Sequence, residues 1–146
     1  MNKTQPTTTC AFTGTRKGMT VQQKRVLTKL LKKNNVTLMH NGSARGSDEE
    51  AASIAHQLDI DVVAHPAVDV LPKDKATIVA YEHYTPKPAL VRNRIMVNAA
   101  QVVFATPESI VQKFRGSGTW AAIRYARNCG KHLFVIWPDG SVQEEN

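Results

Sequence analysis

The chain alternates two hydrophobic rhythms. Short, nearly continuous apolar runs occur at Thr8–Phe12, Val36–His40, Asp61–His65, Gln101–Ala105 and His132–Trp137, as expected of buried parallel strands. Between them, apolar residues recur every three or four positions. Val21–Lys33 turns Val26, Leu27, Leu30 and Leu31 to one side, with Thr20 placed to cap it and Asn34-Asn35 to stop it. Ser47–Leu58 does the same with Ala51, Ala52, Ile54, Ala55 and Leu58, and Ala89–Ala99 and Ser117–Asn128 complete four helices. Residues 66–88 break both rhythms. Pro66, Pro72, Pro86 and Pro88 forbid one long helix, and His83-Tyr84-Thr85-Pro86 reads as a loop over a site. Beyond Pro138-Asp139-Gly140 the chain is a polar tail.

Strands alternating with helices predict an α/β fold. It is a single Rossmann-like domain over residues 1–146, with its core at about 8–138. A parallel sheet of about five strands carries helices on both faces. In such sheets ligands lie outside the carboxyl ends of the strands, near the switch in strand order. The loops at 13–18, 41–48 and 106–118 all leave strand ends there and should converge. Two are glycine-rich and lead into helices: Asn41-Gly42-Ser43-Ala44-Arg45-Gly46-Ser47-Asp48 and Arg115-Gly116-Ser117-Gly118-Thr119. Glycine permits positive φ and close backbone approach, and helix N-termini favour anions. One such loop is explained by tight turning alone. Three converging loops predict a cleft for a phosphate-bearing small molecule, with Gly14, Gly42, Gly46, Gly116 and Gly118 bringing backbone amides to it.

Composition narrows the classes. No stretch approaches the ~18 apolar residues of a membrane span, and Met1–Pro6 holds no apolar signal-peptide segment. Cys10 and Cys129 do not make a disulfide framework; both sit among apolar neighbours and read as small buried hydrophobes, in keeping with a reducing cytoplasm. The net charge of +7 is uneven: residues 1–35 carry eight Lys/Arg and no Asp/Glu. Such a balance can signal nucleic acid, or Lys24, Arg25, Lys29, Lys32 and Lys33 can be one solvated helix face. No recognition-helix or RNA-binding aromatic motif accompanies the charge.

Several side chains carry candidate chemistry. Arg45 could grip a phosphate or stack on a base. Asp48 could hold a ribose hydroxyl or simply favour the helix dipole. Arg92 and Arg94 are two apart on a helix, so only one should face the cleft, and Arg92 is read as the ligand-binding one, with little part in folding. Asn93 could fix a loop or the ligand. Thr119 offers a hydroxyl where amides are unsatisfied, while Trp120 belongs to the core. His40, His56, His65, His83 and His132 show no metal spacing, and nothing calls for a cofactor.

The ordered set Phe12-Thr13-Gly14-Thr15-Arg16, Asn41–Asp48, Arg92-Asn93-Arg94-Ile95-Met96 and Gly116-Ser117-Gly118-Thr119-Trp120 resembles the SLOG superfamily. That family is named for Smf, the DNA-processing protein, and Lonely Guy, the cytokinin-activating enzyme. The nearest likeness is to its small stand-alone YspA- and YpsA-related branch. The resemblance covers about residues 8–138. It implies a nucleotide or nucleotide-derived ligand held by Gly14, Thr15, Arg16, Gly42, Ser43, Arg45, Gly46, Asp48, Arg92, Asn93, Gly116, Ser117, Gly118 and Thr119. It also implies assembly into a homo-oligomer.

Lonely Guy enzymes cleave the N-glycosidic bond of nucleoside monophosphates, with an arginine and a glycine-glycine-x-glycine-threonine loop followed by glutamate. Arg92, Gly116, Gly118 and Thr119 match in part. Ala121 and Ala122 stand where carboxylates would follow, and alanine can neither stabilise oxocarbenium-like charge nor activate water. The expectation is therefore a nucleotide-binding sensor, carrier or sequestering module. The alternatives are a phosphoribohydrolase-like enzyme, with Asp48, Glu49 or Glu82 supplying the carboxylate, and a DNA-binding relative of the DNA-processing protein.

Overall fold

The computed structural model describes residues 7–146. The elements run β1 (Thr8–Gly14), α1 (Val21–Lys33), β2 (Val36–Asn41), α2 (Ser47–Gln57), β3 (Asp61–Ala64), β4 (Glu82–His83), α3 (Ala89–Ala99), β5 (Val102–Thr106), α4 (Gly118–Asn128), β6 (His132–Ile136) and β7 (Val142–Glu145). They form one seven-stranded sheet in the order β4-β3-β2-β1-β5-β6-β7. Every pairing is parallel except β6 with β7.

The five expected strands and four helices are all present, and two edge strands are added. Glu82–His83 pairs with Val63 and Ala64, so His83 is part of a strand rather than only a loop. The polar tail is β7, antiparallel to β6. Both are short and largely exposed, with no hydrophobic rhythm to announce them. Side-chain pairs hold β7: Arg127 with Glu145 at 2.9 Å and His132 with Glu144 at 2.7 Å. Charged edges of this kind also discourage pairing with other sheets.

The period of two divides the strands between two cores. Cys10, Phe12, Val102, Phe104, Phe134 and Ile136 face the side where Leu27 and Leu31 of α1 and Ala51, Ala52 and Ala55 of α2 pack. Ala11, Val103, Ala105, Leu133 and Val135 face the other side, against Met96 and Val97 of α3 and Trp120, Ile123 and Ala126 of α4. Each buried Leu, Ile or Phe contributes about 1.5–3 kcal/mol, and the alanines of α2 let that helix lie close. Thr20 caps α1 in a reciprocal box with Gln23. The buried Gln23 amide also donates to Pro107 O and Ile136 O, tying α1 to the ends of β5 and β6. Cys10 is buried as expected, but Cys129 is exposed: it follows the last turn of α4, where the chain emerges from the core. No helix among the described residues is long and apolar enough to cross a membrane.

Candidate functional site

Strand order reverses at β1, which lies between β2 and β5. The crevice beyond their carboxyl ends holds a cleft of about 230 Å³. Gly14, Thr15, Arg16 and Lys17 line it from the loop after β1. Gly42, Ala44 and Asp48 line it from the loop before α2, and Arg92, Asn93 and Met96 from α3. Glu108, Ser109, Lys113, Gly116, Ser117, Gly118, Thr119 and Trp120 close the remaining side. The three loops therefore converge as their positions after strand ends predict.

Four of the sequence candidates lie elsewhere. Arg45 is exposed; Ala44 bridges Lys75, and the Arg45 amide donates to Asp74 O at 2.9 Å. That pairing with residues 73–75 leaves Arg45 outside the cleft, with its guanidinium 3.4 Å from Lys73 O. Ser43 is buried behind the loop in a neighbouring hollow. Glu49 is exposed, and its Oε1 accepts the Gly46 amide at 2.9 Å. Gly46 has φ +86°, and a side chain there would collide with the Arg16 carbonyl. Its glycine serves loop-to-loop packing, not approach to a ligand.

The two helix N-termini consequently differ. At α2, the Ser47 amide and hydroxyl both donate to Thr15 O, so protein groups already occupy that end. At α4, Ser117 Oγ accepts from Trp120 N at 3.2 Å. The Gly118 and Thr119 amides, in the first turn, have no intrahelical acceptor, and both residues line the cleft. Beside Gly118 the space is open; the nearest atom to an added Cβ would be Asn93 Nδ2 at 3.7 Å.

Arg92 is the hub. Its side chain is buried, and Nη1 donates to Gly42 O and, at 2.9 Å, to His65 O, while Nε donates to Asn93 Oδ1 at 2.8 Å. The guanidinium thus clamps the chain just beyond β2 and β3, a folding role not foreseen in the sequence. Arg94 points away and lies 5.3 Å from the Tyr125 ring. Asp48 is 6% exposed. Burial pushes its pKa up to about 6, against the pull of Arg92 and of the Ala44 amide, which donates to Oδ2 at 3.0 Å. Gly42 separates the two groups: an added Cβ would lie 2.7 Å from Arg92 Nη1 and 2.8 Å from Asp48 Oδ2.

Other participants gave no motif signal. Lys17, Glu108 and Lys113 stand around the cleft; only the nearness of Lys17 to Arg16, and of the other two to the second glycine loop, could have suggested them. His40 and His65 form a buried pair, Nδ1 to Nε2 at 2.8 Å, and His65 packs against Tyr84 with ring centroids 4.3 Å apart. Burial lowers both pKa values, that of His65 to about 4. Their 25-residue separation hides the pair from any sequence pattern. Glu82, His83 and Tyr84 line a hollow on the far side of Arg92.

No family model and no curated protein matches the sequence. Solved structures do match. The molybdenum cofactor binding protein of the phototrophic bacterium Rippkaea orientalis superposes with a TM-score of 0.67 at 17% identity, over 90% of this chain and 77% of that one. The structural-genomics target TM1055 gives 0.63 at 18%, over 86% and 72%. DNA processing protein A of Streptococcus pneumoniae gives 0.60 at 21%, over 88% of this chain and 50% of that one, so the chain spans half of that protein. The chain shares a Rossmann-like α/β fold with these proteins.

Proposed function

We propose that the cleft binds a nucleotide or nucleotide-derived phosphate ester, and that the chain acts as a sensor, carrier or sequestering module. The observation that carries this reading is the open first turn of α4. Gly118 and Thr119, whose amides have no intrahelical acceptor, line a cleft also lined by Arg16, Lys17, Arg92 and Lys113. Such an end favours an anion through oriented amides and the helix dipole, and the cations add charge-assisted contacts. That a protein of similar fold binds the molybdenum cofactor supports a small-molecule ligand. Mass spectrometry of small molecules released from the denatured protein, followed by calorimetry with nucleoside monophosphates, tests the reading. A phosphorylated ligand with micromolar or tighter affinity is expected. Absence of both a co-purified ligand and measurable binding refutes it.

Asp48 favours a second reading, hydrolysis at a nucleotide glycosidic bond. A carboxyl with a pKa near 6 inside the cleft can exchange a proton at neutral pH, whereas Glu49 lies outside the cleft. Release of free base from monophosphates, abolished by Asp48→Asn, would establish it.

A further inference from the structure

We infer that Glu108 is a built-in competitor for the ligand's anion, keeping two cleft lysines occupied until a phosphate replaces it. The inference rests on the proposed anion-binding role of the cleft. Glu108 lies near the start of the long loop between β5 and α4. Its Oε2 accepts from Lys17 Nζ at 3.1 Å, and its Oε1 lies 3.9 Å from Lys113 Nζ. Lys17 comes from the loop after β1, so this carboxylate joins two loops that border the same cleft, and all three residues line it. At the other end of the loop, Arg124 donates to Lys113 O at 2.8 Å and lies 5.2 Å from the Phe114 ring.

The exchange is electrostatically lopsided. Glu108 brings one negative charge to the two ammonium groups, while a phosphate monoester near neutral pH brings almost two. A monoanionic ligand would replace one charge by an equal one and gain little. Glu108 thereby favours phosphate monoesters over carboxylates and phosphodiesters, and it lowers affinity for every anion.

The test is calorimetric titration of inorganic phosphate at pH 7.5 and fixed ionic strength into wild type, Glu108→Gln and Glu144→Gln. Glu144 of β7 pairs with His132 of β6 and does not line the cleft, so its variant repeats the change in net charge at a distance. Glu108→Gln is expected to bind phosphate about two- to fivefold tighter than wild type, as loss of a competing exposed ion pair permits, with Glu144→Gln unchanged. Binding by Glu108→Gln alone, with wild type too weak to measure, also supports the inference. Wild-type binding that Glu108→Gln leaves equal or weakens overturns the inference while the phosphate cleft stands. An equal gain in Glu144→Gln overturns it as a mere effect of net charge. No phosphate binding by any of the three overturns the inference; the cleft reading falls with it only if nucleoside monophosphates also fail to bind.

Discussion

Arg92 shows how one side chain both ties the fold together and lines the candidate site. Its guanidinium satisfies carbonyls beyond two neighbouring strands while lining the cleft. Arg92→Ala leaves both carbonyls short of a donor, at about 1–3 kcal/mol for each buried group left unsatisfied. Urea denaturation should show a loss of about 2–6 kcal/mol, whether or not ligand is present. Asp48 makes the opposite case. Its folded pKa, raised to about 6, means that the folded state holds the proton more tightly than the unfolded state. The stability this confers is complete below about pH 4 and is lost as pH rises through 6. Asp48→Asn keeps an oxygen for the Ala44 amide but cannot ionise. It should exceed wild type in stability by up to about 2 kcal/mol at pH 7.5 and lose that advantage at pH 4, in melts at the two pH values. An advantage confined to pH 4 would contradict the assignment.

The two glycine loops look alike in sequence, yet they do different work as elements. The first is locked against its neighbour, with Gly46 at positive φ over the Arg16 carbonyl. Gly46→Ala should cost at least about 2 kcal/mol through backbone strain and collision. Gly118 opens α4 beside open space, so Gly118→Ala should fold within about 1 kcal/mol of wild type by thermal melting. If the pair behaved alike, the distinction drawn between the two helix ends would fail. Both helices and both preceding loops were legible from periodicity and glycine placement. The difference between them was not, because it depends on where the backbone of residues 13–18 passes. β4 and β7 escaped notice for a related reason: an exposed edge strand needs only a partner's backbone, and that leaves no alternation to read.

At the scale of the molecule, charge and topology act together. Arg25, Lys29, Lys32 and Lys33 are exposed on α1, which packs on the sheet face away from α3 and α4. None of the four lines the cleft, so they form a solvated face rather than a stripe leading into the site. Binding to duplex or single-stranded DNA should therefore be weak and should vanish by ~0.2 M salt in fluorescence anisotropy. Tight, salt-resistant binding would instead favour the DNA reading. The same scale governs acid behaviour. His65, held neutral with its pKa lowered to about 4, confers stability that is full above about pH 6.5 and lost as pH falls toward 4. Asp48 opposes it over much of that range.

Local physics was enough for the alternation of strands and helices, the cap at Thr20, the inward faces and the meeting of three loops. Hydrophobic period and capping chemistry act over a few residues, and a parallel sheet leaves its loops little freedom about which end they occupy. Long-range approach settled the rest. Gly42 lies between Arg92 and Asp48, His40 beside His65, and Lys17 against Glu108 across 91 residues. The raised Asp48 pKa belongs to the same class, because desolvation depends on everything packed around a carboxyl. Such pairings follow from how the strands are ordered and which backbones touch, and neither is written in the spacing of residues along the chain.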